Sequence, residues 1–234
     1  MAEHDLFDAE AHTLLEAERT VAEKNLPAES YRAALQHLVE EYRRLIRESS
    51  RLIRHSDRQE RELTQLNSKL RILAAELDYK ATHDALTGVF NRGAIIERVS
   101  EHLKNDDVVL IVLDIDHFKR VNDEFGHPAG DAVIVEVVER LKSVVADSGD
   151  IGRVGGEEFT IAIPSADISQ GARIGEMLRT SIAATPFAAL SGQTVTASFG
   201  VSNNKRGSSF DEAYARADGM LYNAKREGRN AVRC

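Results

Sequence analysis

Cysteine is almost absent from this sequence: among its 234 residues the only one is Cys234. A single cysteine excludes an internal disulfide framework and suits a reducing compartment. The longest uninterrupted apolar run, residues 108–113, is far shorter than the roughly 20 residues that cross a bilayer. Residues 1–12 are acidic and lack the basic and apolar regions of a signal peptide. We therefore expect a cytoplasmic protein without a membrane segment.

An excess of basic residues is also lacking. The sequence has 30 Lys and Arg against 38 Asp and Glu, a formal charge of −8 at pH 7. Nucleic acid is therefore not an expected partner, because binding its phosphates requires a basic face. A nucleotide remains compatible with this charge, since a few placed cations and a metal ion are enough to hold one.

Glycine is absent from residues 1–80, and the only proline there is Pro27. The segment is instead rich in Glu, Arg, Leu and Ala, which favour helix. The pattern predicts a short helix over residues 5–24 and a long helix over 28–80, with Pro27 at its first turn. We expect these residues to form an all-helical stalk, and residues 81–234 to form a second domain.

Apolar residues in the long helix recur at alternating spacings of three and four, the pattern of a coiled-coil heptad seam. The seam is polar at Ser49, Ser56 and Gln59, so we expect it to be weakest there. The alternative is an amphipathic helix packed on its own domain. In the first half of the helix, further apolar residues widen the stripe, as suits a helix bundle. The seam comprises Leu35, Leu38, Tyr42, Leu45, Ser49, Leu52, Ser56, Gln59, Leu63, Leu66, Leu70, Leu73 and Leu77, and the residues that widen it are Val39, Ile46 and Ile53.

From residue 81 onward, helix and strand patterns alternate. This alternation predicts an α/β domain with a mixed central sheet surrounded by helices. The predicted helices cover residues 93–104, 131–146, 168–184 and 211–228, and the predicted strands cover 107–115, 150–154, 157–163 and 193–202.

The run Gly155-Gly156-Glu157-Glu158 lies between two predicted strands. Two glycines there indicate a hairpin, because tight two-residue turns need positive φ. A polar hairpin tip is the simplest interpretation. However, adjacent glutamates are poor strand formers and repel each other unless a positive charge lies nearby.

A second acidic residue could form a cation site together with these glutamates. Asp114 ends a buried strand, where α/β enzymes commonly place functional groups. Asp114 and Glu157 at neighbouring strand ends would form a hard-oxygen site that suits Mg²⁺, with a nucleotide completing the coordination. The alternative role for Asp114 is to cap the helix that follows.

Further residues fit a nucleotide. Asn122 and Asp131 are of the types that pair with a guanine edge, and Lys119 is near enough in sequence to reach phosphate. Lys225 and Arg229, four residues apart on one helical face, could clamp a triphosphate. Alternatively, these two form a solvated basic turn that complements the helix dipole.

Several motifs together resemble the GGDEF domain, the catalytic domain of diguanylate cyclases. The resemblance runs from about residue 81 to 232 and is carried by several motifs in the family's order. These are DALTGVFNR (84–92), DIDHFKRVNDEFGHPAGD (114–131), RVGGEEF (153–159), ASFGVS (197–202) and ADGMLYNAKREGRNAV (217–232).

The resemblance implies a palm-like fold that condenses two GTP into cyclic di-GMP and releases two pyrophosphates. It implies that Asp114, the backbone carbonyl of Ile115 and Glu157 bind two Mg²⁺ ions per GTP, with Mn²⁺ as the alternative, and that Glu157 helps deprotonate the attacking 3′-hydroxyl. The other implied nucleotide contacts are Asn122, His127 and Asp131, with Lys119, Lys225 and Arg229 on phosphate and Lys119 stabilising the transition state. Glu158 is a further implied catalytic residue. Whether it shares in metal ligation stays open, because successive strand residues point to opposite faces.

The sequence departs from the family in one motif. Many relatives carry an RxxD motif at which cyclic di-GMP inhibits the enzyme, and by spacing its Arg and Asp would fall at Ala146 and Gly149. Asp147 and Asp150 lie close by, but the arginine is missing. We therefore expect no inhibitory site here.

A symmetric product needs two domains facing each other, each presenting one GTP. We expect a homodimer that forms through the stalk, and a regulatory protein that binds the stalk. Two alternatives remain: an inactive GGDEF domain that senses GTP or cyclic di-GMP, and a coiled-coil adaptor whose second domain is a scaffold.

Overall fold

The computed structural model describes residues 8–234. Contacts divide the chain into two compact units, Met1–Leu73 and Ala74–Cys234. Helix α1 spans Asp8–Ala22 and helix α2 spans Ala28–Thr82. The start predicted for the first helix, residues 5–7, lies outside the described residues. Helix α2 begins directly after Pro27, whose carbonyl accepts a hydrogen bond from the backbone N–H of Ser30 at 2.9 Å.

In the first unit, α1 lies against the beginning of α2. Arg44 of α2 donates a hydrogen bond to Glu10 of α1 at 3.2 Å, and Leu14, Leu38 and Leu45 line an apolar groove between the helices. No residue of α2 is buried. The apolar residues of its heptad seam therefore remain accessible to a partner.

The second unit contains a five-stranded sheet with the order β2-β3-β1-β4-β5. All neighbouring strands are antiparallel except β4 and β5, which are parallel. The predicted α/β class with a mixed sheet and surrounding helices is thus confirmed. The elements are α3 (Arg92–Asn105), β1 (Val108–Ile115), α4 (Phe118–Phe125), α5 (His127–Val145), β2 (Asp150–Arg153), β3 (Glu158–Pro164), α6 (Ile168–Ala184), β4 (Ala197–Asn204), α7 (Phe210–Arg226) and β5 (Val232–Arg233).

The central strand β1 is buried along its whole length and separates two apolar clusters. Val109, Ile111 and Leu113 belong to the cluster that includes α5 and α6. Val108 and Leu110 belong to the cluster that includes α3 and α7. Because successive strand residues alternate between faces, Asp114 at the end of β1 falls on the α7 side.

Two predicted starts differ from the structure by four residues. The strand predicted over 193–202 starts at Ala197, after an irregular segment that follows Leu190. The helix predicted from Asp131 starts earlier, at His127, because Pro128 fits the first helical turn, where no intrahelical N–H is needed.

Candidate active site

Asp114 and Lys225 form an ion pair at the end of β1. The Nζ of Lys225 lies 2.8 Å from Oδ2 of Asp114. Lys225 reaches this position from the last turn of α7, on the face of the sheet that Asp114 shares. Asp114 is only 7% exposed. A nearly buried carboxylate is thus held beside a cation on a neighbouring helix.

The alternative role for Asp114 as a helix cap is not seen. Helix α4 is preceded by His117, which has a left-handed backbone (φ 58°) and makes no side-chain cap hydrogen bond. The carboxylate of Asp114 therefore points to Lys225 rather than to the helix that follows it in sequence.

Glu157 lies next to the end of β1. The backbone N–H of Ile115 donates a hydrogen bond to the carbonyl of Glu157 at 3.2 Å. Burial raises the pKa of Glu157, and the negative charge of Asp114 raises it further. Burial also raises the pKa of Asp114; Lys225 opposes this rise, and Asp116 adds to it.

These two carboxylates have the character of a cation site. The charge of Asp114 raises the pKa of Glu157, and the charge of Asp116 raises the pKa of Asp114. An added positive charge would therefore stabilise both ionised forms. Within residues 8–234, no three His, Cys, Asp or Glu side chains gather as a metal cluster. The donor set that fits Mg²⁺ here is therefore two carboxylates, Asp114 and Glu157, with a backbone carbonyl such as that of Ile115.

The hairpin forms as predicted between β2 and β3, but the predicted positive φ was wrong. Neither Gly155 nor Gly156 has a positive φ, because the connection has four residues instead of two. The N–H groups of Val154 and Gly155 both donate to the carbonyl of Glu158, at 3.0 and 3.3 Å. A Cβ on Gly155 would lie 2.6 Å from Oε2 of Glu158, so a larger residue there would make the Glu158 carboxylate move.

Glu158 lies directly opposite Asp114 in the ladder between β1 and β3. Opposed residues of an antiparallel pair share one face of the sheet. Glu158 therefore lies at the same end of the sheet as Asp114, without forming a three-carboxylate cluster among the described residues, and its charge contributes to the raised pKa of Glu157.

A second group of candidate residues surrounds the junction of α4 and α5. Asn122 of α4 lies against the backbone of Gly130 on α5, where any Cβ would clash with its Oδ1 atom. Asp131 follows directly on α5, while His127 begins that helix and is exposed, as is Lys119 in the first turn of α4. The chain turns between the helices at Gly126, whose φ is 84°.

Arg153 was not among the candidate residues predicted from the sequence. Its guanidinium donates to Asp84 at 3.0 Å and to the carbonyl of Gly156 at 2.7 Å. Asp84 also accepts hydrogen bonds from Thr87. Burial raises the pKa of Asp84, but the hydrogen bonds from Thr87 and Arg153 outweigh it and the pKa is lowered. The turn after α2 is thus tied to the residue that precedes Glu157.

Asp116 was not among the predicted candidates either, although it lies two residues after Asp114. It is 5% exposed and accepts hydrogen bonds from the Thr196 and Ser198 hydroxyls, both at 2.7 Å, and from the backbone N–H of Asn230 at 3.0 Å. Asn230 adjoins Arg229, whose charge acts to lower the pKa of Asp114. The Asp-Ile-Asp sequence at 114–116 is the feature from which a role for Asp116 could have been predicted.

The backbone is constrained at both positions of the missing RxxD motif. Ala146 has a positive φ of 45°, and a Cβ on Gly149 would clash with the carbonyl oxygen of Ala162. The neighbouring Asp150 is already engaged by Arg98 at 3.0 Å and by His102 at 2.7 Å.

The fold and this site define a class of protein. A family model described as "Diguanylate cyclase, GGDEF domain" matches residues 81–231, and the chain belongs to this family. None of the helices within residues 8–234 is long and apolar enough to cross a membrane.

Among curated relatives, diguanylate cyclase DgcP of Pseudomonas aeruginosa is 40% identical over 65% of this chain and 24% of that protein. Diguanylate cyclase VdcA of Vibrio cholerae is 35% identical over 91% of this chain and 63% of that protein. The chain thus spans less than two thirds of the length of either relative.

Two crystal structures resemble the fold. The coiled coil and GGDEF domain of DgcB from Caulobacter crescentus, in complex with c-di-GMP, matches with a TM-score of 0.69 and 31% identity, over 74% of this chain and 95% of that one. Diguanylate cyclase SiaD of Pseudomonas aeruginosa, in complex with its activator SiaC, matches with a TM-score of 0.63 and 29% identity, over 99% of this chain and 91% of that one.

Proposed function

We propose that this protein is a diguanylate cyclase that joins two GTP into cyclic di-GMP. In each half-reaction, the 3′-hydroxyl oxygen of one GTP bonds to the α-phosphorus of the other, and pyrophosphate leaves. The observation that carries the proposal is a pair of neighbouring carboxylates with raised pKa in a GGDEF domain: Asp114, which is buried and paired with Lys225, and the half-buried Glu157.

The side chains divide the work by charge. Asp114, Glu157 and the Ile115 carbonyl would hold two Mg²⁺ per GTP, or Mn²⁺ in its place; these ions supply neutralisation of the triphosphate and a lower pKa for the attacking hydroxyl. Glu157, ionised before the step, receives the hydroxyl proton. Glu158, opposite Asp114, adds negative charge to the same site.

Phosphate binding falls to the cations. Lys225 exchanges Asp114 for a phosphate oxygen when substrate enters, and Arg229 binds the triphosphate beside it, as a guanidinium fork suits phosphate. Lys119 is exposed at the start of α4 and stabilises the charge that develops at the α-phosphate. On the guanine side, Asp131 accepts hydrogen bonds from the N–H groups of the base, Asn122 pairs with the ring edge through its amide, and His127 contacts the nucleotide.

The assay for this function is incubation of the pure protein with GTP and Mg²⁺, or Mn²⁺, followed by detection of cyclic di-GMP and pyrophosphate. Product at a steady rate is expected. Tight GTP or cyclic di-GMP binding without turnover would instead identify an inactive sensor, and absence of both would identify an adaptor scaffold.

We further propose that two chains pair through α2 and that a regulatory protein binds the same helices. The seam is open to both partners, since Leu63, Leu66 and Leu77 are 61%, 55% and 67% exposed. Val39 and Ile46 add exposed apolar surface in the first unit. A partner that binds the paired helices better than the single one would raise activity by shifting the population toward dimers, and the activator bound to SiaD is a precedent for protein regulation.

We predict that cyclic di-GMP inhibits this enzyme weakly. Without the arginine of the RxxD motif, the product loses a bidentate phosphate contact, which corresponds to affinity weaker by about tenfold or more. Initial rates measured with added cyclic di-GMP would test this. Tight inhibition that disappears on substitution of residues 146–150 would contradict it.

We predict that Gly130→Ala raises the KM for GTP about tenfold, the effect of one lost polar contact to the base, and changes kcat less. The new methyl group would displace the Asn122 carboxamide, while the helix itself tolerates alanine. Gly219→Ala on α7 is the matched control, since a Cβ there meets nothing within 4 Å. Equal KM values for the two variants would exclude a guanine role for Asn122.

A further inference from the structure

The segment that follows α7 has an unusual backbone. After Arg226 the chain passes through Gly228 (φ 117°), Arg229 (φ 63°) and Asn230 (φ 44°). The left-handed region costs a non-glycine residue roughly 1–2 kcal/mol, so two in succession persist only where other contacts fix them. Residues in such conformations often occur at functional sites.

Three backbone hydrogen bonds fix this segment. The N–H of Arg229 donates to the carbonyl of Ala224 at 3.1 Å, and the N–H of Phe199 donates to the carbonyl of Ala231 at 2.9 Å. The third runs from the N–H of Asn230 to Oδ2 of Asp116 at 3.0 Å. This third bond is accepted by a side chain, and it attaches at the residue next to Arg229. The side chain of Asn230 has a separate contact, since Nη1 of Arg179 donates to its Oδ1 at 3.2 Å.

Asp116 is committed to this attachment. Both of its oxygens accept hydrogen bonds, Oδ1 from Ser198 and Oδ2 from Thr196 and Asn230. The side chain is nearly buried, and it joins the ends of β1 and β4 to the segment after α7. The neighbouring Asp114 instead faces Lys225, so the two aspartates have separate partners.

We propose that Asp116 is a positioning residue: by accepting the N–H of Asn230 it holds Arg229 in the left-handed conformation that directs its guanidinium to the substrate triphosphate. The proposal rests on the proposed function, since Arg229 is taken as a phosphate contact there. Both oxygens of Asp116 already accept hydrogen bonds from the protein, so its proposed role is to position Arg229.

The variants Asp116→Ala and Asp116→Asn separate this role from a requirement for negative charge. Alanine removes the acceptor, so we expect the KM for GTP to rise about tenfold, as for the loss of a hydrogen bond to a charged group. Asparagine can keep its oxygen toward Asn230 and turn its amide toward the Ser198 hydroxyl, which can accept. We therefore expect near-wild-type KM for Asp116→Asn.

Thr196→Val is the matched control, because it removes one hydrogen bond to Asp116 but leaves the Asn230 contact. We expect it to lower the unfolding temperature without changing KM. If Asp116 acts through Arg229, the double variant Asp116→Ala/Arg229→Ala should bind substrate no more weakly than Arg229→Ala alone. Additive losses, or an Asp116→Asn variant that is folded yet as impaired as Asp116→Ala, would overturn the proposal.

A binding measurement without turnover distinguishes failure of this inference from failure of the function. GTP carrying a methylene bridge between the α- and β-phosphates should bind about tenfold more weakly to Asp116→Ala, whereas GMP should bind equally to both proteins. If the wild type makes cyclic di-GMP and the alanine variant binds the analogue normally, only the positioning role is wrong. If the wild type neither binds the analogue nor makes product, both proposals are wrong.

Discussion

Replacing Glu157 with glutamine is expected to reduce the formation of cyclic di-GMP by about a hundredfold or more, as the removal of a charge-stabilising group in an active site typically does. The glutamine cannot accept the hydroxyl proton and offers a neutral oxygen to Mg²⁺. Asp114→Ala should have the same effect. Product formation measured over GTP concentration will show whether kcat falls.

The fold should survive the glutamine substitution. The raised pKa of Glu157 means that its ionised form is less favourable in the folded chain than in the unfolded one. A neutral side chain removes this cost at neutral pH, so the unfolding temperature should stay the same or rise. Glu101→Gln, at an exposed position of α3, is the control for the loss of one charge. A folded Glu157→Gln protein with near-normal turnover would refute the assignment of Glu157.

The same pKa shifts give the direction of the pH dependence. The pKa values of Asp114 and Glu157 are both raised, so both become protonated at a higher pH than ordinary carboxyl groups. Since both must be ionised to hold the metal ions, wild-type activity should decline on acidification before surface carboxylates titrate. Added Mg²⁺ should shift this decline to lower pH, because the cation stabilises the ionised forms.

Local patterns in the sequence were sufficient for two elements of the site, but α4, which carries Lys119 and Asn122, and β5 were not among the predicted elements. Alternating and continuous apolar runs predicted the buried strand that ends at Asp114, and the glycine pair predicted the hairpin that presents Glu157. These features depend on neighbouring residues, so they can be inferred without a three-dimensional arrangement.

Contacts between distant residues could not be predicted in this way. The pair of Arg153 with Asp84 spans 69 positions, and the bond from Asn230 to Asp116 spans 114. Both depend on which strands become neighbours, and the order of strands in the sheet is set by packing of the whole domain. The positive φ predicted for Gly155 was wrong for a related reason, because the loop length depends on where the ladder between β2 and β3 ends.

Removing the helices ahead of residue 78 is expected to make activity depend steeply on protein concentration. Two domains that pair through α2 meet at an effective concentration in the millimolar range. Without that link, the rate at low protein concentration should fall by a factor on the order of a hundred or more. The truncated protein should therefore lose specific activity on dilution, while the full chain keeps it.

A start at Asp78 removes only residues 74–77 of the second unit and keeps the side-chain contacts of the last residues of α2. Tyr79 still stacks on His83 with ring centroids 4.0 Å apart, and the carbonyl of Ala81 still accepts a hydrogen bond from Asn91. Thr82 also keeps its bond to the carbonyl of Asp78 at 2.7 Å. Loss of activity can then be assigned to the missing helix and not to a damaged domain, and saturating protein concentration should restore it.

A point variant tests the seam in the full chain. Leu66→Glu places a charge on the seam, whereas Ser68→Glu adds the same charge two residues away, which lies off the seam face of the helix. Only the first should weaken self-association, measured by sedimentation, and lower activity in parallel. If the truncated enzyme and Leu66→Glu match the full-length protein in both dimerisation and rate at low concentration, α2 does not assemble the active site, and the two GTP must be brought together by the GGDEF domains themselves.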